Sequence, residues 1–443
     1  MDWRVVVRAG VIGIAALVAA APPVRAQEAK PVPRPYRALF GGDASNLVYR
    51  HQVSMVVSLN AGLDNGLAAS PGTGATTGDT QVAGIYSAGT RLSYALSDRH
   101  VNAGAAAGTN LPYYSTLPGV KELAFDASGN LSYLWNVTTL GVTASYSRSP
   151  FYSPAFEPGT GAAPLTGEAG FARNPNEMKS ATAFLTRRLG RLTGVSVGYE
   201  AFSLTFLDED RSSTSHAVRL SGDRQVSRSL SLTSGYGHSF WSYGPSESAG
   251  TSGSDDADIG LRYIRPSPTG RPFTFSAAFG VSTADYQSGR STGWRGAATL
   301  SKVLSATWTV SANYRHTIRL DSAVTEPVWA SDVSAAIGGP FGRRVTVAAT
   351  ASYSKRERTT AGAAGFDSYS LSTDVQVAAS SAVAIAVNYL YYRYQFPAGY
   401  TLPTGVSSKL DRHRLQAGVR IWLPFWRAGR GFTPTGTGQQ RGG

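Results

Sequence analysis

Apolar and polar residues alternate along most of the chain from Leu47 onward. Apolar residues occupy every second position between Trp308 and Tyr314, and similar runs occupy 140–146, 345–353 and 383–389. Each run ends on a tyrosine of its apolar face. Because the side chains of a β-strand point alternately to opposite sides, this period of two predicts strands with one apolar and one polar face.

The alternating runs predict eighteen strands, with sixteen as the alternative count. Short turns follow the even-numbered strands, and longer connections rich in Gly, Pro, Ser and acidic residues lie at the other end, as at 61–81, 149–176, 243–257 and 397–408. The predicted strands are 47–60, 82–96, 101–110, 123–134, 137–148, 178–189, 193–205, 214–223, 229–240, 257–265, 272–283, 293–303, 307–318, 330–338, 344–356, 367–378, 382–395 and 411–423.

Strands of about ten residues with short turns at one end and long loops at the other are typical of a transmembrane β-barrel. A soluble β-sandwich or a β-solenoid is the alternative, but the polar face here is Ser, Thr, Gly, Asn and Arg on nearly every strand. A single sheet of this length without covering helices has to close, because closure leaves no unpaired edge in lipid. We therefore expect an all-β fold, a closed antiparallel transmembrane β-barrel with no plug domain, since the segment before Leu47 is too short for one.

The N-terminus indicates export. A basic start, an apolar stretch over 9–21 and small residues before Gln27 are typical of a secretory signal peptide. An even strand number places both termini on the periplasmic side. The predicted organisation is a signal peptide at 1–26, a periplasmic Pro-rich linker at 27–46, the barrel at 47–423 and a flexible periplasmic tail at 424–443.

The composition excludes several classes of protein. The chain has 443 residues, no cysteine, and 41 Lys+Arg against 28 Asp+Glu, which gives a net charge of +13. Without cysteine there is no disulfide scaffold, thiolate metal site or thiol nucleophile. A hydrophobic content of 42% excludes a wholly disordered chain, and a mean hydropathy of -0.14 excludes a polytopic helical membrane protein.

The last predicted strand resembles the C-terminal signal of outer-membrane barrels, with Gln416, Gly418, Ile421 and Leu423 at the positions of that signal. The resemblance implies that the barrel-assembly machinery binds these residues. Unlike the usual members, the chain continues past the final strand, although Phe425 and Trp426 are close by. As a pattern over 47–423, the chain resembles porin-like barrels of 16–18 strands, including those associated with exopolysaccharide secretion.

The alternation also predicts which charged residues face the lumen. Sixteen to eighteen strands leave an aqueous channel, and an excess of arginines over acids along it would favour anions. Some of these arginines could instead pair with the acids or lie outside the membrane. The predicted channel-lining residues are Arg91, Arg219, Arg262, Arg295, Arg315, Arg344, Arg356, Arg414, Arg420, Glu200, Asp258, Asp332 and Asp374.

Three functions fit this sequence: a passive pore for hydrophilic solutes, an export pore for a polysaccharide, and a non-conducting surface barrel such as an adhesin. We expect no enzymatic activity, cofactor or metal, because the six histidines are scattered without ligand spacing. The expected partners are outer-membrane lipid, lipopolysaccharide, the assembly machinery and periplasmic polysaccharide-export proteins, but not nucleic acid. The aromatic connection at 149–176 either folds into the lumen or packs on itself as a surface loop.

Overall fold

The computed structural model describes most of the barrel and leaves the predicted segments 1–26 and 27–46 outside the described residues. No helix of the described part is long and apolar enough to cross a membrane. The described residues are 49–65, 82–115, 123–152, 172–207, 211–244, 250–265, 271–286, 289–305, 307–321, 326–342, 344–358, 365–395 and 409–430.

Eighteen β-strands make up nearly all of this structure. They are β1 (Tyr49–Asp64), β2 (Ala83–Ser97), β3 (Val101–Tyr114), β4 (Ala124–Trp135), β5 (Thr138–Tyr152), β6 (Ala172–Arg188), β7 (Thr193–Phe206), β8 (Arg211–Gln225), β9 (Leu230–Gly244), β10 (Gly250–Arg265), β11 (Phe273–Tyr286), β12 (Gly289–Val303), β13 (Thr309–Asp321), β14 (Glu326–Phe341), β15 (Val345–Arg358), β16 (Phe366–Ala378), β17 (Val383–Gln395) and β18 (Lys409–Arg430).

The strands form one closed antiparallel sheet. Each strand pairs with the next along the chain, and β1 pairs with β18, so that Tyr49 lies opposite Arg430. Both ends of the barrel segment therefore lie at the same rim, together with the short turns that follow the even-numbered strands. We call this the turn rim and the opposite end the loop rim. Eighteen strands spaced about 4.8 Å apart and tilted by about 40° enclose a barrel about 36 Å in diameter.

Most strands extend further toward the loop rim than the sequence pattern predicts. β10 begins at Gly250, so residues 250–257 belong to a strand and not to the predicted connection 243–257. The apolar alternation stops where the lipid stops, whereas the backbone hydrogen bonds continue because both neighbouring strands are still present. At the turn rim, β18 continues beyond Leu423 to Arg430, past a bulge opposite Val53 and Ser54. Part of the predicted flexible tail is thus strand, and the remainder lies outside the described residues.

The outer face of the barrel is apolar and exposed. Ile259 is 72% exposed, Phe279 61% and Leu59 57%, and all three point outward from their strands. The inner face carries Ser, Thr, Asp and Arg at the alternate positions. A soluble sandwich or solenoid would bury its apolar face, whereas this arrangement is that of a transmembrane β-barrel. Within the described residues there is only wall and turn, and no separate plug.

The hydrogen-bonded ladder between β12 and β13 stops before either strand reaches the loop rim. β12 and β13 pair from Val303 opposite Thr309 only as far as Gly296 opposite His316. β12 nevertheless continues to Gly289, and β13 to Asp321. The two strands therefore separate over their loop-rim halves.

Candidate functional site

The candidate site is the inner wall of the barrel. Exposed apolar residues such as Leu220 and Leu415 fix the outer face of their strands, and the pairing register extends this assignment to their neighbours. Arg344 lies in the turn between β14 and β15, outside the strands. The register places the following predicted residues on the inner face: Arg91, Arg219, Arg262, Arg295, Arg315, Arg356, Arg414, Arg420, Glu200, Asp258, Asp332 and Asp374.

A charged cluster lies midway along the wall of β8, β10 and β12. Arg219 Nη2 is 2.5 Å from Asp258 Oδ2, and Arg295 Nη1 is 2.9 Å from Asp256 Oδ2 and 3.6 Å from Asp258 Oδ2. Both arginines reach across an intervening strand to the carboxylates of β10. The lumen at this level is therefore lined by paired charges and not by arginines alone.

Glycines on the intervening strands make these long-range pairs possible. A Cβ built on Gly235 of β9 would lie 2.3 Å from Arg219 Nη2, so a larger residue would force the arginine to shift from its path across β9. Gly280 of β11 lies in register with both Asp258 and Arg295. A side chain there would stand directly between the two charges, so glycine keeps the inner surface open for the pair.

The same arrangement recurs on the far side of the barrel. Arg91 of β2, Gly108 of β3 and Asp126 of β4 are in register, and Arg91 Nη1 lies 2.5 Å from Asp126 Oδ2. Asp126 was not among the residues predicted from sequence. Only the register of three strands identifies the pair, because a lone glycine in an alternating run carries no such signal.

Two further ion pairs lie near the loop rim and are buried. Arg356 Nη1 is 3.1 Å from Asp332 Oδ1, with the side chains 0% and 3% exposed, and Ser354 Oγ donates a hydrogen bond to Asp332 at 2.6 Å. Arg412 and Asp64 close the β1–β18 seam with both side chains fully buried. The Nε atom of Arg412 lies 2.8 and 2.9 Å from the two carboxylate oxygens of Asp64.

These pairs change the charge balance that the sequence predicts. The sequence-based count of four inward acids omits Asp64, Asp126 and Asp256, and each of them pairs with an inward arginine. Arg420 also lies 3.8 Å from Asp374. Arg262, by contrast, is exposed on the inner face and has no ion-pair partner among the described residues. The described wall is therefore largely charge-compensated, with a smaller positive excess than nine arginines against four acids.

Hydroxyl groups surround the central charged cluster. A recess in the wall of β6–β12 is lined by Arg219, Arg262 and Asp258. Ser and Thr side chains complete the recess: Thr186, Ser196, Ser221, Thr233, Ser234, Ser276 and Thr299. Such a surface exchanges hydrogen bonds with water or with a polyhydroxylated solute.

The residues of the predicted assembly signal lie at the β1–β18 seam. Gln416 is 5% exposed on the inner face, and Ile421 and Leu423 lie on the outer face. A Cβ on Gly418 would come within 2.4 Å of the Leu59 carbonyl oxygen, so the close approach of β1 and β18 requires glycine. Beyond Leu423, the exposed aromatic Trp426 contacts His51 with ring centroids 5.5 Å apart.

None of the six histidines, all of which the structure describes, occupies an inner-face position of its strand, and His238 Nδ1 lies 2.8 Å from Asp255 Oδ1 on the outer face. His100 is in a turn, and the register places the others on the outer face. His51, His216 and His413 each share a hydrogen bond of 2.8–2.9 Å with a tyrosine of a neighbouring strand. Within the described residues no group of three or more His, Asp or Glu could hold a metal ion.

The fold and the inner wall together define a class: a large transmembrane β-barrel with a polar, mostly charge-compensated lumen. Neither a protein-family model nor a curated protein matches the sequence. Similar solved structures include OpdO and OpdQ of Pseudomonas aeruginosa and a BenF-like porin of Pseudomonas fluorescens Pf-5. Their identities are 13%, 10% and 10%, each with a TM-score of 0.44. The alignments cover 86%, 86% and 85% of this chain and 99%, 100% and 99% of theirs.

Proposed function

We propose that the protein is an outer-membrane pore through which hydrophilic solutes pass. The observation that carries this proposal is the closed eighteen-strand wall with an apolar outer face and an inner face that is polar through its middle. Barrels of this strand number are too wide for wall side chains to fill, which leaves an aqueous channel. Both ends of the barrel segment would then lie in the periplasm, as the signal peptide and the short turns at their rim suggest.

We propose further that the pore prefers anionic solutes weakly. Arg262 supports this preference because it is exposed in the lumen without an ion-pair partner among the described residues. The paired arginines contribute little to the field along the pore axis, because each lies beside a carboxylate. An acidic polysaccharide on its way out of the cell is the alternative cargo, which the hydroxyl-lined recess would suit. Periplasmic export proteins would then be partners.

A non-conducting surface barrel is the second candidate, and one observation favours it. Inward-facing apolar side chains near the loop rim are nearly inaccessible: Leu204 is 3% exposed, Phe366 2%, Tyr392 2% and Tyr394 1%. We infer from this burial that the lumen is narrower at its loop-rim end than in its middle. A lumen sealed at that end would serve adhesion or envelope structure and not transport.

A liposome-swelling assay separates the two candidates. Purified protein is reconstituted into liposomes, which are then placed in solutions of sugars of increasing size. The rate of liposome swelling is compared with that of protein-free liposomes. A pore produces swelling that falls as the sugar becomes larger. Equal rates with and without folded barrel would contradict the pore and favour the surface role. Uronic acids compared with neutral sugars of the same size then test the anion preference.

A further inference from the structure

The loop-rim half of the β13–β14 hairpin separates from β12 while it stays paired with β15. β13 and β14 remain paired with each other up to Asp321 opposite Glu326. On the other side of the hairpin, β14 stays paired with β15 as far as Val328 opposite Arg358. The hydrogen-bonded pairing between β12 and β13, by contrast, ends at His316. We call residues 317–321 and 326–331 the leaning hairpin.

The leaning hairpin packs against the inner surface of the wall. Ile318 of β13 is 5% exposed and clusters with Trp241 of β9 and Ala284 of β11, which both point inward. Trp329 of β14 packs against the same cluster. Since β12 lies between β11 and β13 in the sheet, these contacts require the hairpin to lean inward over the inner surface of β12.

Trp329 fixes the position of the hairpin against β12. Its Nε1 donates a hydrogen bond of 3.2 Å to Ser291 Oγ. A Cβ on Gly293 would lie 2.6 Å from the Trp329 ring, so the indole rests directly on the backbone of β12. Ser291 and Gly293 belong to the inner face of β12, on the same side as Arg295. The indole thus takes space inside the barrel.

An aromatic stack bridges the point where the ladder ends. The rings of Trp294 and His316 are 4.0 Å apart with an interplanar angle of 20°, and those of His316 and Trp329 are 5.1 Å apart at 9°. The stack joins the outer surface of β12 to the hairpin at the last paired residues. The stack therefore lies at the point about which the loop-rim half of the hairpin would have to turn in order to pair with β12.

The same residues fit a second arrangement. If the β12–β13 register continued past Gly296, Trp294 would lie opposite Ile318, and Ile318 and Trp329 would face lipid like the rest of the outer face. That arrangement would recover the missing ladder hydrogen bonds, while the inward arrangement buries Ile318 and Trp329 against the inner wall. Neither arrangement leaves the apolar side chains in water.

We propose that the leaning hairpin is a gate that moves between an inward position, which narrows the lumen, and a wall position, in which β12 and β13 pair along their full length. This inference rests on the proposed pore function. With the gate in the inward position the barrel would limit leakage across the membrane, and with the gate in the wall position it would pass a solute. The strand residues of the leaning hairpin are enough to explain this movement, and none of the connections between strands is needed for it.

Disulfide cross-linking tests the gate. Because the natural sequence has no cysteine, the only thiols are the two that are introduced. In the wall position the double variant W294C/I318C would place its sulfurs within disulfide reach, because directly opposite residues have Cα atoms about 4.5–5.5 Å apart. L300C/A312C is the matched control, since Leu300 and Ala312 are directly opposite and on the same face. We expect both variants to oxidise. Oxidised W294C/I318C should show a larger single-channel conductance than the same protein after reduction, whereas the control should show no change.

The failures of the two proposals are distinguishable. If L300C/A312C cross-links and W294C/I318C does not, the hairpin never reaches the wall position and the gate is excluded. Cross-linking of W294C/I318C without a change in conductance also excludes the gate. If all barrels fold but none conducts in either redox state, the pore itself fails, and the cross-linking result still reports the motion.

A second variant tests the inward position without cysteine. Gly293→Ala forces the Trp329 ring off β12 and should lengthen the open times of the channel. Gly198→Ala is the control, because a Cβ at that strand position meets only carbonyl oxygens at 3.9 Å. Unchanged gating in Gly293→Ala would count against the proposal.

Discussion

The inner wall contains buried ion pairs and exposed ion pairs, and the two kinds contribute differently to the free energy of unfolding. The pairs near the loop rim, Arg412–Asp64 and Arg356–Asp332, are excluded from solvent. The pair between Arg91 and Asp126 is about half exposed on both sides. Removing one partner of a buried pair leaves an uncompensated charge, whereas an exposed pair is worth little because water screens it.

Asp64→Ala should therefore destabilise the barrel by about 3–5 kcal/mol, since Arg412 is left buried without its carboxylate. Asp126→Ala is the matched control and should cost only about 0–1 kcal/mol. Urea unfolding of the detergent-solubilised barrel, followed by tryptophan fluorescence, measures both. Equal losses in the two variants would contradict the assignment of Asp64 to a buried seam pair.

Arg262 should carry more of the ionic selectivity than the paired arginines. Arg262→Glu should move the reversal potential in a salt gradient toward cation preference, because it replaces a lumenal cation that has no ion-pair partner in the described part of the chain by an anion. Arg224→Glu makes the same change of charge on the outer face near the turn rim and serves as control. Identical shifts in both variants would mean that the charge acts from outside the lumen.

At the scale of the strand, much of the fold could be predicted from the sequence, because lipid on one side and water on the other enforce a period of two. The number of strands and the side with the short turns are confirmed. The loop-rim ends of the strands could not be predicted, since the alternation fades where both faces meet water. β10 shows this most clearly: Asp255 and Asp256 interrupt the apolar pattern although both belong to the strand.

The inner-wall pairs and the leaning hairpin could not be predicted for a different reason. The alternation along a strand assigns each residue to the inner or the outer face. It does not show which residues of the neighbouring strands lie beside that residue, because this depends on the register. Arg91 and Asp126 meet because three strands are in register at Gly108. Ile318 and Trp329 occupy outer-face positions of their strands, yet they pack inside the barrel because the loop-rim half of the hairpin leans over β12.

The apolar belt makes a prediction at the same scale. Ile259→Arg places a charge on the lipid face in the middle of β10 and should cost about 2–4 kcal/mol if it lies at the midplane of the membrane. Ser276→Arg adds the same side chain to the inner face of the neighbouring strand and should be tolerated. Heat-modifiable migration in gels reports folded barrel for both. Normal assembly of Ile259→Arg would contradict the assignment of the outer face.

At the scale of the whole molecule, a wide barrel combines a weakly charged polar lumen with a hairpin that projects into it. The wall alone predicts a large conductance, because about 36 Å of diameter leaves room for water. The inward hairpin reduces that room near the loop rim. We therefore expect a channel that opens to more than one level and prefers anions weakly.

The most direct test is single-channel recording in planar bilayers, with the protein inserted from detergent and a salt gradient across the membrane. We predict discrete openings with closures between them and a reversal potential slightly on the anion side. A folded, inserted barrel that stays silent at all voltages, while heat-modifiable migration confirms its fold, would contradict the pore.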